Sequence, residues 1–434
     1  MTADLPLTDL LRSRPETPTD LLYAPLRLAC GAVLPNRIGK AALEESLAVT
    51  GQLPDYRIFD LYRRWAAGGV GLQITGNVMV HAGALTSPGT IVLDAHAPLD
   101  PFIAWAQAAR SGDGEVWMQI NHPGRQVTKD LHAVAWAPSA VAVDIGRYSK
   151  LFSTPTAMTR ADIQDTVERF ATTAARAEEA GFTGVQVHAA HGYLISQFLS
   201  PLTNQRTDEW GGPLENRARL LLEVIDAVRS RVSAGFAMGV KLNSSDFQRG
   251  GFDLDDARRV LHMLGDRGVD LVELSGGSVE SPAMQGRTTD ERTLAREAFF
   301  LAFVEEMMTN APVPIMLTGG ITRRSVAEKV LQSGASVVGM GTALALRPDL
   351  PQVWRTTPSF SASLQPVAWK DKVRASAAIL TLVRRELRRT ANGQSSRPSL
   401  SPGLSLMRDE FRRGSSLRRY RAWILHHPDG LPRR

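Results

Sequence analysis

The chain has 434 residues, of which 43% are hydrophobic and 22% are charged, a composition typical of a globular protein rather than a disordered or collagen-like one. Its single cysteine, Cys30, excludes an internal disulfide, a cysteine-rich zinc site and a four-cysteine iron–sulfur cluster. The sequence shows neither an uninterrupted run of eighteen apolar residues nor a secretory signal pattern, so we expect a cytoplasmic protein.

The net charge of +6 is unevenly distributed along the chain. Residues 370–434 contain sixteen Lys and Arg against five Asp and Glu, whereas the rest of the chain has an excess of five acidic residues. This shift predicts a short N-terminal segment over 1–21, a body over 22–365 and a basic helical extension over 366–434.

Two basic stretches of the extension, 370–390 and 407–425, flank a Ser/Pro-rich linker, and the first has the apolar stripe of a helix. We expect the extension to pack on its own protein or form a subunit contact, without binding nucleic acid or membrane. RNA binding that weakens steeply with salt is the alternative.

The body repeats one pattern eight times, a short apolar run rich in β-branched residues followed by a segment of helical periodicity. The runs predicted as strands begin near Arg37, Val70, Glu115, Gly184, Met238, Asp270, Val313 and Ser336. Helices are predicted between them over 55–67, 100–109, 161–180, 214–232, 254–265, 294–308 and 322–332. Eight such units, with no Gly-x-Gly-x-x-Gly after the first strand, predict an α/β fold, a closed (β/α)₈ TIM barrel with a basic C-terminal helical extension.

Polar residues and glycines gather at the carboxyl ends of the predicted strands, where barrel enzymes place their chemistry. Glycine turns follow the last two strands, at Gly319-Gly320 and at Gly341-Thr342. Glycine lets backbone amides approach a phosphate closely, and a following helix N-terminus favours an anion. The two turns therefore predict the phosphate site of a cofactor.

Four motifs occur in order at these strand ends and carry a family resemblance. They are LPNRI at 34–38, QINHPGRQ at 119–126, HAAHGYL at 188–194 and SPLTNQRTDEWGGPLENR at 200–217. From about residue 22 to 350 the chain resembles the old yellow enzyme family. The resemblance implies a barrel that binds FMN noncovalently, takes hydride from NADH or NADPH and reduces activated C=C bonds of small-molecule enones and related alkenes. The resemblance leaves open whether the protein forms a homo-oligomer.

The substrate site must polarise an oxygen conjugated to the alkene, and two imidazoles suit this task. The resemblance assigns His188 and His191 to that oxygen and gives Tyr193 the delivery of a proton opposite the hydride. A phenol with an ordinary pKa of about 10 is protonated at neutral pH, as an acid requires. A zinc pair is the alternative for the histidines. We expect no metal because no suitable third ligand lies nearby, although Asp208 and Glu209 leave the point open.

The resemblance also assigns residues to the flavin. Lys241, where the family often has arginine, would stabilise the negative charge of the reduced ring, and Gln119 would hydrogen-bond its pyrimidine edge. Gly76 would allow close approach of the backbone to the ring. The other expected cofactor-binding residues are Ala42, Glu44, Gly319, Gly320, Gly341 and Thr342.

Two of these positions depart from the family pattern. Glu44 stands where familiar members have threonine or cysteine near the flavin C4 carbonyl. An ionised Glu44 would disfavour the reduced ring, a protonated one could donate to O4, and its side chain could instead turn to solvent or pair with an arginine. Thr342 stands where many relatives place an arginine on the phosphate, and Arg347 and Arg323 are candidate substitutes.

Two other functions remain open from the sequence. A flavin-dependent oxidation or demethylation of an amine or ether, or simple reduction of oxygen, would use the same cofactor. An RNA-binding flavoenzyme would use the basic extension, in the manner of dihydrouridine synthases. Cys30 argues against such a synthase, because it precedes the first strand, whereas a catalytic cysteine is expected at the barrel mouth.

Overall fold

The computed structural model describes residues 20–281, 307–308, 311–397, 399 and 401–430. Its centre is a closed barrel of eight parallel strands, each paired with its chain neighbours, and the first strand also pairs with the last. The strands are β1 (Ile38–Lys40), β2 (Leu72–Ile74), β3 (Glu115–Asn121), β4 (Gly184–Ala189), β5 (Ala237–Asn243), β6 (Leu271–Ser275), β7 (Ile315–Thr318) and β8 (Val337–Met340). The predicted (β/α)₈ barrel is confirmed.

Helices surround this barrel and continue into the extension. They are α1 (Tyr56–Ala67), α2 (Asp100–Ala109), α3 (Arg160–Glu179), α4 (Leu194–Leu199), α5 (Leu214–Arg231), α6 (Leu254–Gly265), α7 (Arg324–Gln332), α8 (Thr342–Leu346), α9 (Leu350–Thr356), α10 (Lys372–Ala391) and α11 (Pro402–Ile424). The predicted helix over 294–308 lies outside the described residues, except for Met307 and Met308. Local signals explain several starts: Asp55 caps α1 by accepting from Arg57 N at 3.1 Å, and Thr159 forms a capping box with Asp162 at α3.

Short elements complete the chain around the barrel. An antiparallel pair, Leu26–Arg27 with Val33–Leu34, precedes β1, and a two-residue strand, Val78–Met79, lies beside β3. A parallel pair follows β3, formed by Ala135–Ala137 and Pro155–Ala157. The 3₁₀ turns are Leu21–Tyr23, Lys129–Leu131 and Gly146–Leu151.

The lower half of the barrel interior is apolar, and Trp117 is its largest side chain. Two glycines, one on β4 and one on β5, make room for this indole. A Cβ atom at Gly184 would lie 2.7 Å from the Trp117 ring, and one at Gly239 would lie 2.8 Å from it. Since real Cβ atoms do not approach so closely, this layer of the core requires glycine at both positions.

The extension packs on the body through both of its helices. Helix α10 contacts α1 and α8, and its buried face includes Leu382 and Leu387. Near the end of α11, Tyr420 and Ile424 are buried in a cluster with side chains of the loops after β2 and β3. Within the part of the chain that the structure describes, every helix is too short or too polar to cross a membrane.

Candidate active site

The apolar lower half of the barrel interior, which contains Trp117, is called the apolar floor. Above it, four strands carry a hydrogen-bonded chain of polar side chains, which we call the polar layer: Gln119, Gln186, Lys241 and Glu273. Gln119 Nε2 donates to Gln186 Oε1 at 2.7 Å, and Gln186 Nε2 donates to Glu273 Oε2 at 2.8 Å. Lys241 Nζ completes the chain by donating to Glu273 Oε1 at 2.7 Å. The structure therefore links Gln119 and Lys241, which the sequence had selected, through two residues that it had not.

Strand geometry explains why these four side chains meet. Side chains two apart in a strand share a face, and each member of the polar layer lies two residues after an inward position of the floor. Gln119 follows Trp117 in this way, and Gln186 follows Gly184. The same spacing in β6 identifies Glu273, which stands between Val272 and Leu274 and is fully buried. A charged residue inside an apolar strand was the signal that sequence reasoning missed.

His188 is the next inward residue of β4 and is 3% exposed. Its Nδ1 accepts a hydrogen bond from Ala190 N at 3.2 Å, so the ring proton of the neutral imidazole is on Nε2. Burial holds the pKa of His188 well below its usual value, and the charges of His191 and Lys241 lower it further. His188 is therefore a neutral imidazole with an N–H available for donation.

His191 lies beside His188, with 5.1 Å between ring centroids. Its backbone has a φ of +62°, and two contacts hold this left-handed conformation. The backbone N–H donates to Asn243 Oδ1 at 3.1 Å, and Nε2 lies 2.8 Å from Ser275 Oγ. Burial and the charge of Lys241 hold the pKa of His191 well below its usual value, so this imidazole is also neutral.

Tyr193 is the third member of this group, and its ring centroid lies 4.9 Å from that of His188. It stands at the N-cap of α4, immediately before the helix that follows β4. Burial and the negative charge of Glu44 raise the pKa of the Tyr193 phenol well above its usual value, although Arg384 acts in the opposite direction. The phenol therefore keeps its proton and can act as a donor or an acid.

Two side chains at the end of β3 leave polar atoms unpaired near this group. Asn121 lies two residues after Gln119, is fully buried, and has no hydrogen-bond partner for either Oδ1 or Nδ2 among the described residues. His122 likewise has an unpaired Nε2, while its Nδ1 accepts from Gly124 N at 3.1 Å. Buried polar atoms normally have partners, so a polar ligand at the mouth of the barrel would satisfy Asn121.

The turn after β7 leaves free space, whereas a Cβ atom at Gly341 after β8 would lie 3.0 Å from the Leu43 side chain. Gly319 and Gly320 are exposed, and a Cβ atom added to either glycine would meet nothing within 4 Å. Gly341 is the N-cap of α8, which begins at Thr342 with amides that lack helical partners. Of the two candidate arginines, Arg347 pairs with Asp349 at 2.8 Å. Arg323, the other candidate, is exposed at the N-cap of α7.

The loops after β1 and β2 contain the remaining expected residues. Ala42 is partly buried against the apolar floor. The Gly76 N–H donates to Glu45 Oε1 at 3.2 Å and also lies 3.1 Å from the Tyr62 hydroxyl. A Cβ atom at Gly76 would lie 1.9 Å from Glu45 Oε2, so the close approach that glycine allows here is to Glu45. Contact of Gly76 with the ring stays a prediction.

Of the alternatives open for Glu44, the structure shows pairing with an arginine. Glu44 Oε2 accepts from Arg384 Nη2 at 3.1 Å. The other carboxylate oxygen accepts from the hydroxyls of Ser87 at 2.6 Å and of Thr86 and Thr90 at 3.3 Å. Burial would raise the pKa of Glu44, but Arg384 and the hydroxyls outweigh it and hold the pKa below its usual value.

The described residues fit FMN. The open glycine turn after β7 and the start of α8 offer room and amides for a phosphate, and the unpaired amide of Asn121 offers hydrogen bonds to a polar ring. The cation of Lys241 lies within the same mouth. An FMN held in this way would accept hydride from a nicotinamide and pass it to a second substrate.

Comparison with known proteins identifies the family of the chain. Residues 21–356 match the NADH:flavin oxidoreductase / NADH oxidase family. The NADH-dependent flavin oxidoreductase iliE of Neonectria sp. (strain DH2) is 40% identical over 361 residues, which cover 77% of this chain and 47% of that protein. This chain thus spans about half the length of that relative. The protein of the same name from Hypocrea jecorina (strain QM6a) is 37% identical over 350 residues, covering 76% of this chain and 87% of that protein.

Solved structures lead to the same family. The old yellow enzyme homologue from Zymomonas mobilis aligns with a TM-score of 0.67 and 26% identity, over 80% of this chain and 95% of that chain. Morphinone reductase in complex with tetrahydroNAD aligns with a TM-score of 0.65 and 26% identity, over 80% and 93%. The chain belongs to the NADH:flavin oxidoreductase / NADH oxidase family, with old yellow enzyme homologues among its structural relatives, and is an oxidoreductase that uses FMN and NADH or NADPH.

Proposed function

We propose that this enzyme reduces activated C=C bonds of small electron-poor alkenes such as enones. The observation that carries the proposal is the group formed by His188, His191 and Tyr193, in which two neutral imidazoles adjoin a protonated phenol. Bound FMN supplies the two-electron chemistry, with NADH or NADPH as the source of hydride. The protein must then activate the acceptor and supply one proton.

The two imidazoles suit activation of the acceptor oxygen. The Nε2–H of His188 is a donor, because Nδ1 is occupied by the Ala190 amide. A hydrogen bond from this donor to a carbonyl or nitro oxygen withdraws electron density from the conjugated alkene, and the effect is strong because the site is buried. His191 is held beside it by Asn243 and Ser275, so its ring does not need to reorient during turnover.

Tyr193 suits protonation of the other alkene carbon. Its raised pKa ensures that the phenol is protonated throughout the neutral range. The same raised pKa means that the phenolate is reprotonated rapidly once the product forms. We assign the proton-transfer step to Tyr193 and acceptor binding to His188 and His191.

We assign FMN binding to residues on either side of this group. Gln119 and Lys241 of the polar layer would contact the pyrimidine side of the ring, where a cation stabilises the negative charge of the reduced state. Gly319, Gly320, Gly341 and Thr342 would hold the phosphate. Ala42, Glu44 and Gly76 would line the ring from the loops after β1 and β2.

The variant Tyr193→Phe tests the proposal. The rate of alkene reduction by the reduced enzyme should fall about 10²- to 10⁴-fold, because general acid catalysis is lost. Reduction of FMN by NADH or NADPH should stay within about twofold of the wild type, because that half-reaction needs no proton from Tyr193. Stopped-flow measurement of the flavin absorbance separates the two rates. Tyr56→Phe is the matched control, since Tyr56 is 62% exposed.

Two outcomes would contradict the proposal. An equal loss in both half-reactions would remove Tyr193 from its assigned step. If no enone, nitroalkene or maleimide reoxidises the reduced enzyme under anaerobic conditions, the oxidation, demethylation or oxygen-reduction alternatives are favoured.

A further inference from the structure

One arginine of the extension reaches the loop after β1. Arg384 lies on α10, beyond residues 21–356 that match the family. Its guanidinium joins two carboxylates, donating from Nη2 to Glu44 Oε2 at 3.1 Å and from Nη1 to Asp409 Oδ2 at 3.2 Å. Arg384 therefore connects both helices of the extension with the barrel mouth.

Arg384 is held firmly on its own side of this contact. Its helix buries Val383 and Leu387 in the core cluster of the body, and Arg388 Nη1 donates to Asp409 Oδ1 at 2.7 Å. Asp409 thus receives one arginine on each oxygen, and only Arg384 extends to Glu44. A guanidinium placed by a packed helix and a second ion pair loses little conformational freedom when it binds a carboxylate.

The charges of the Arg384–Glu44 pair act on the proposed proton donor. Burial is the main reason that the pKa of Tyr193 is raised, but Glu44 raises it further and Arg384 lowers it. Both charges thus influence the Tyr193 phenol, and the Tyr193 ring contacts the ring of His188. Glu44 also lines a small cleft together with Gly76, at the end of β2.

We propose that Arg384 is a positioning residue of the active site, which neutralises Glu44 and holds it at the wall that FMN shares with Tyr193. The inference rests on the proposed function, because it takes FMN and Tyr193 to be in their assigned places. An unpaired carboxylate at this wall would repel the negative charge of a reduced ring, and the guanidinium cancels that repulsion. The extension thereby contributes to the chemistry of the barrel.

The test uses the full-length holoenzyme with Arg384→Met. The dissociation constants of oxidised and reduced FMN are measured anaerobically between pH 5 and 9. Reduced FMN should lose about tenfold in affinity relative to oxidised FMN at pH 8, which lowers the two-electron midpoint potential by about 30 mV. These equilibrium readings do not depend on turnover.

The pH dependence gives a second reading with a definite sign. Without Arg384, burial remains and the pKa of Glu44 rises from the low value of the wild type. Above the new pKa the carboxylate is ionised and reduced FMN is disfavoured, whereas below it the preference recovers. The wild type, with the pKa of Glu44 held low by Arg384, should show no such transition near neutral pH. Among the described residues, Arg384 contacts Glu44 directly, Asp409 shares the Arg384 guanidinium, and the Tyr193 phenol is influenced by the charge of Glu44.

Two further variants make the result decisive. Arg388→Met removes the other arginine on Asp409 without touching Glu44, so its FMN affinity ratio should match the wild type. Glu44→Gln combined with Arg384→Met removes both charges and should restore the ratio. An unchanged ratio in Arg384→Met, an equal change in Arg388→Met, or no recovery in the double variant would each overturn the inference. If the wild type bound FMN but reduced no alkene, the proposed function would fail separately, since the ratio is measured without an alkene.

Discussion

The barrel and the extension use ion pairs in contrasting surroundings. In the polar layer, the side chains of Lys241 and Glu273 are 4% and 0% exposed and 2.7 Å apart. On the extension, Arg413 pairs with Asp130 while their side chains are 31% and 34% exposed. Breaking a buried pair strands a charge without solvent, whereas a partly exposed charge regains water. The Lys241–Glu273 pair is therefore needed for a stable site. The Arg413–Asp130 pair instead orients the extension on the body.

The attachment of the extension depends mainly on apolar burial. Tyr420 and Ile424 are 0% and 1% exposed at the end of α11, where they pack on the loops after β2 and β3. Burial of such side chains contributes about 1.5–3 kcal/mol each, more than a partly exposed ion pair. The comparison thus predicts a large effect in the barrel, an intermediate one at the apolar contact and a small one at the surface pair.

The largest effect is expected for Lys241→Met. This change leaves the Glu273 carboxylate buried without its cation, and such losses destabilise a fold by about 3–5 kcal/mol. Urea unfolding followed by circular dichroism measures the free energy of unfolding. The measurement is made with and without FMN, because weaker FMN binding also lowers the apparent stability.

A double variant shows whether charge is the cause. Adding Glu273→Gln to Lys241→Met removes the stranded carboxylate while keeping a group that can accept from Gln186, so most of the stability should return. If the double variant is as unstable as Lys241→Met, the loss comes from packing, and the buried pair has no special place in the comparison.

The next effect is expected for Ile424→Ala at the apolar contact. Removal of this buried side chain should lower the free energy of unfolding by about 2–4 kcal/mol. Leu425→Ala is the matched control, because Leu425 is the next residue and is 73% exposed. Equal losses in the two variants would show that α11 does not depend on its buried end.

The sequence predicted those parts of the site that strand periodicity determines. Gln119, His188 and Lys241 lie at the ends of strands whose apolar pattern is clear, so their meeting in one mouth followed from the barrel. The same periodicity contained Glu273, but a lone charge in an apolar run indicates burial without naming its partner. Pairing with Lys241 depends on the neighbouring strands and their register, which the structure shows directly.

The contact between Glu44 and Arg384 could not be predicted in the same way. The two residues lie 340 positions apart, and no motif marks the extension. Its first helix was expected from an apolar stripe, but the angle of the extension on the barrel depends on the packing of many side chains. The sequence therefore left an arginine partner for Glu44 as one of several alternatives, and the tertiary structure identified it.

The smallest effect is expected for Arg413→Met at the surface pair. Arg413 donates to Asp130 through two nitrogens, one of them at 3.0 Å, and to Thr128 Oγ1 at 3.0 Å. Because these side chains are about one-third exposed, water replaces much of what the variant loses, and the free energy of unfolding should fall by only about 0.5–1 kcal/mol. The loss should shrink in 1 M salt, where charges are screened beyond about 3 Å, whereas the loss in Ile424→Ala should not.

Arg412→Met, one position earlier on the exposed side of α11, controls for a general change in charge. A loss in Arg413→Met that matched Ile424→Ala and resisted salt would mean that the extension is attached by its charges, and the contrast with the barrel would disappear.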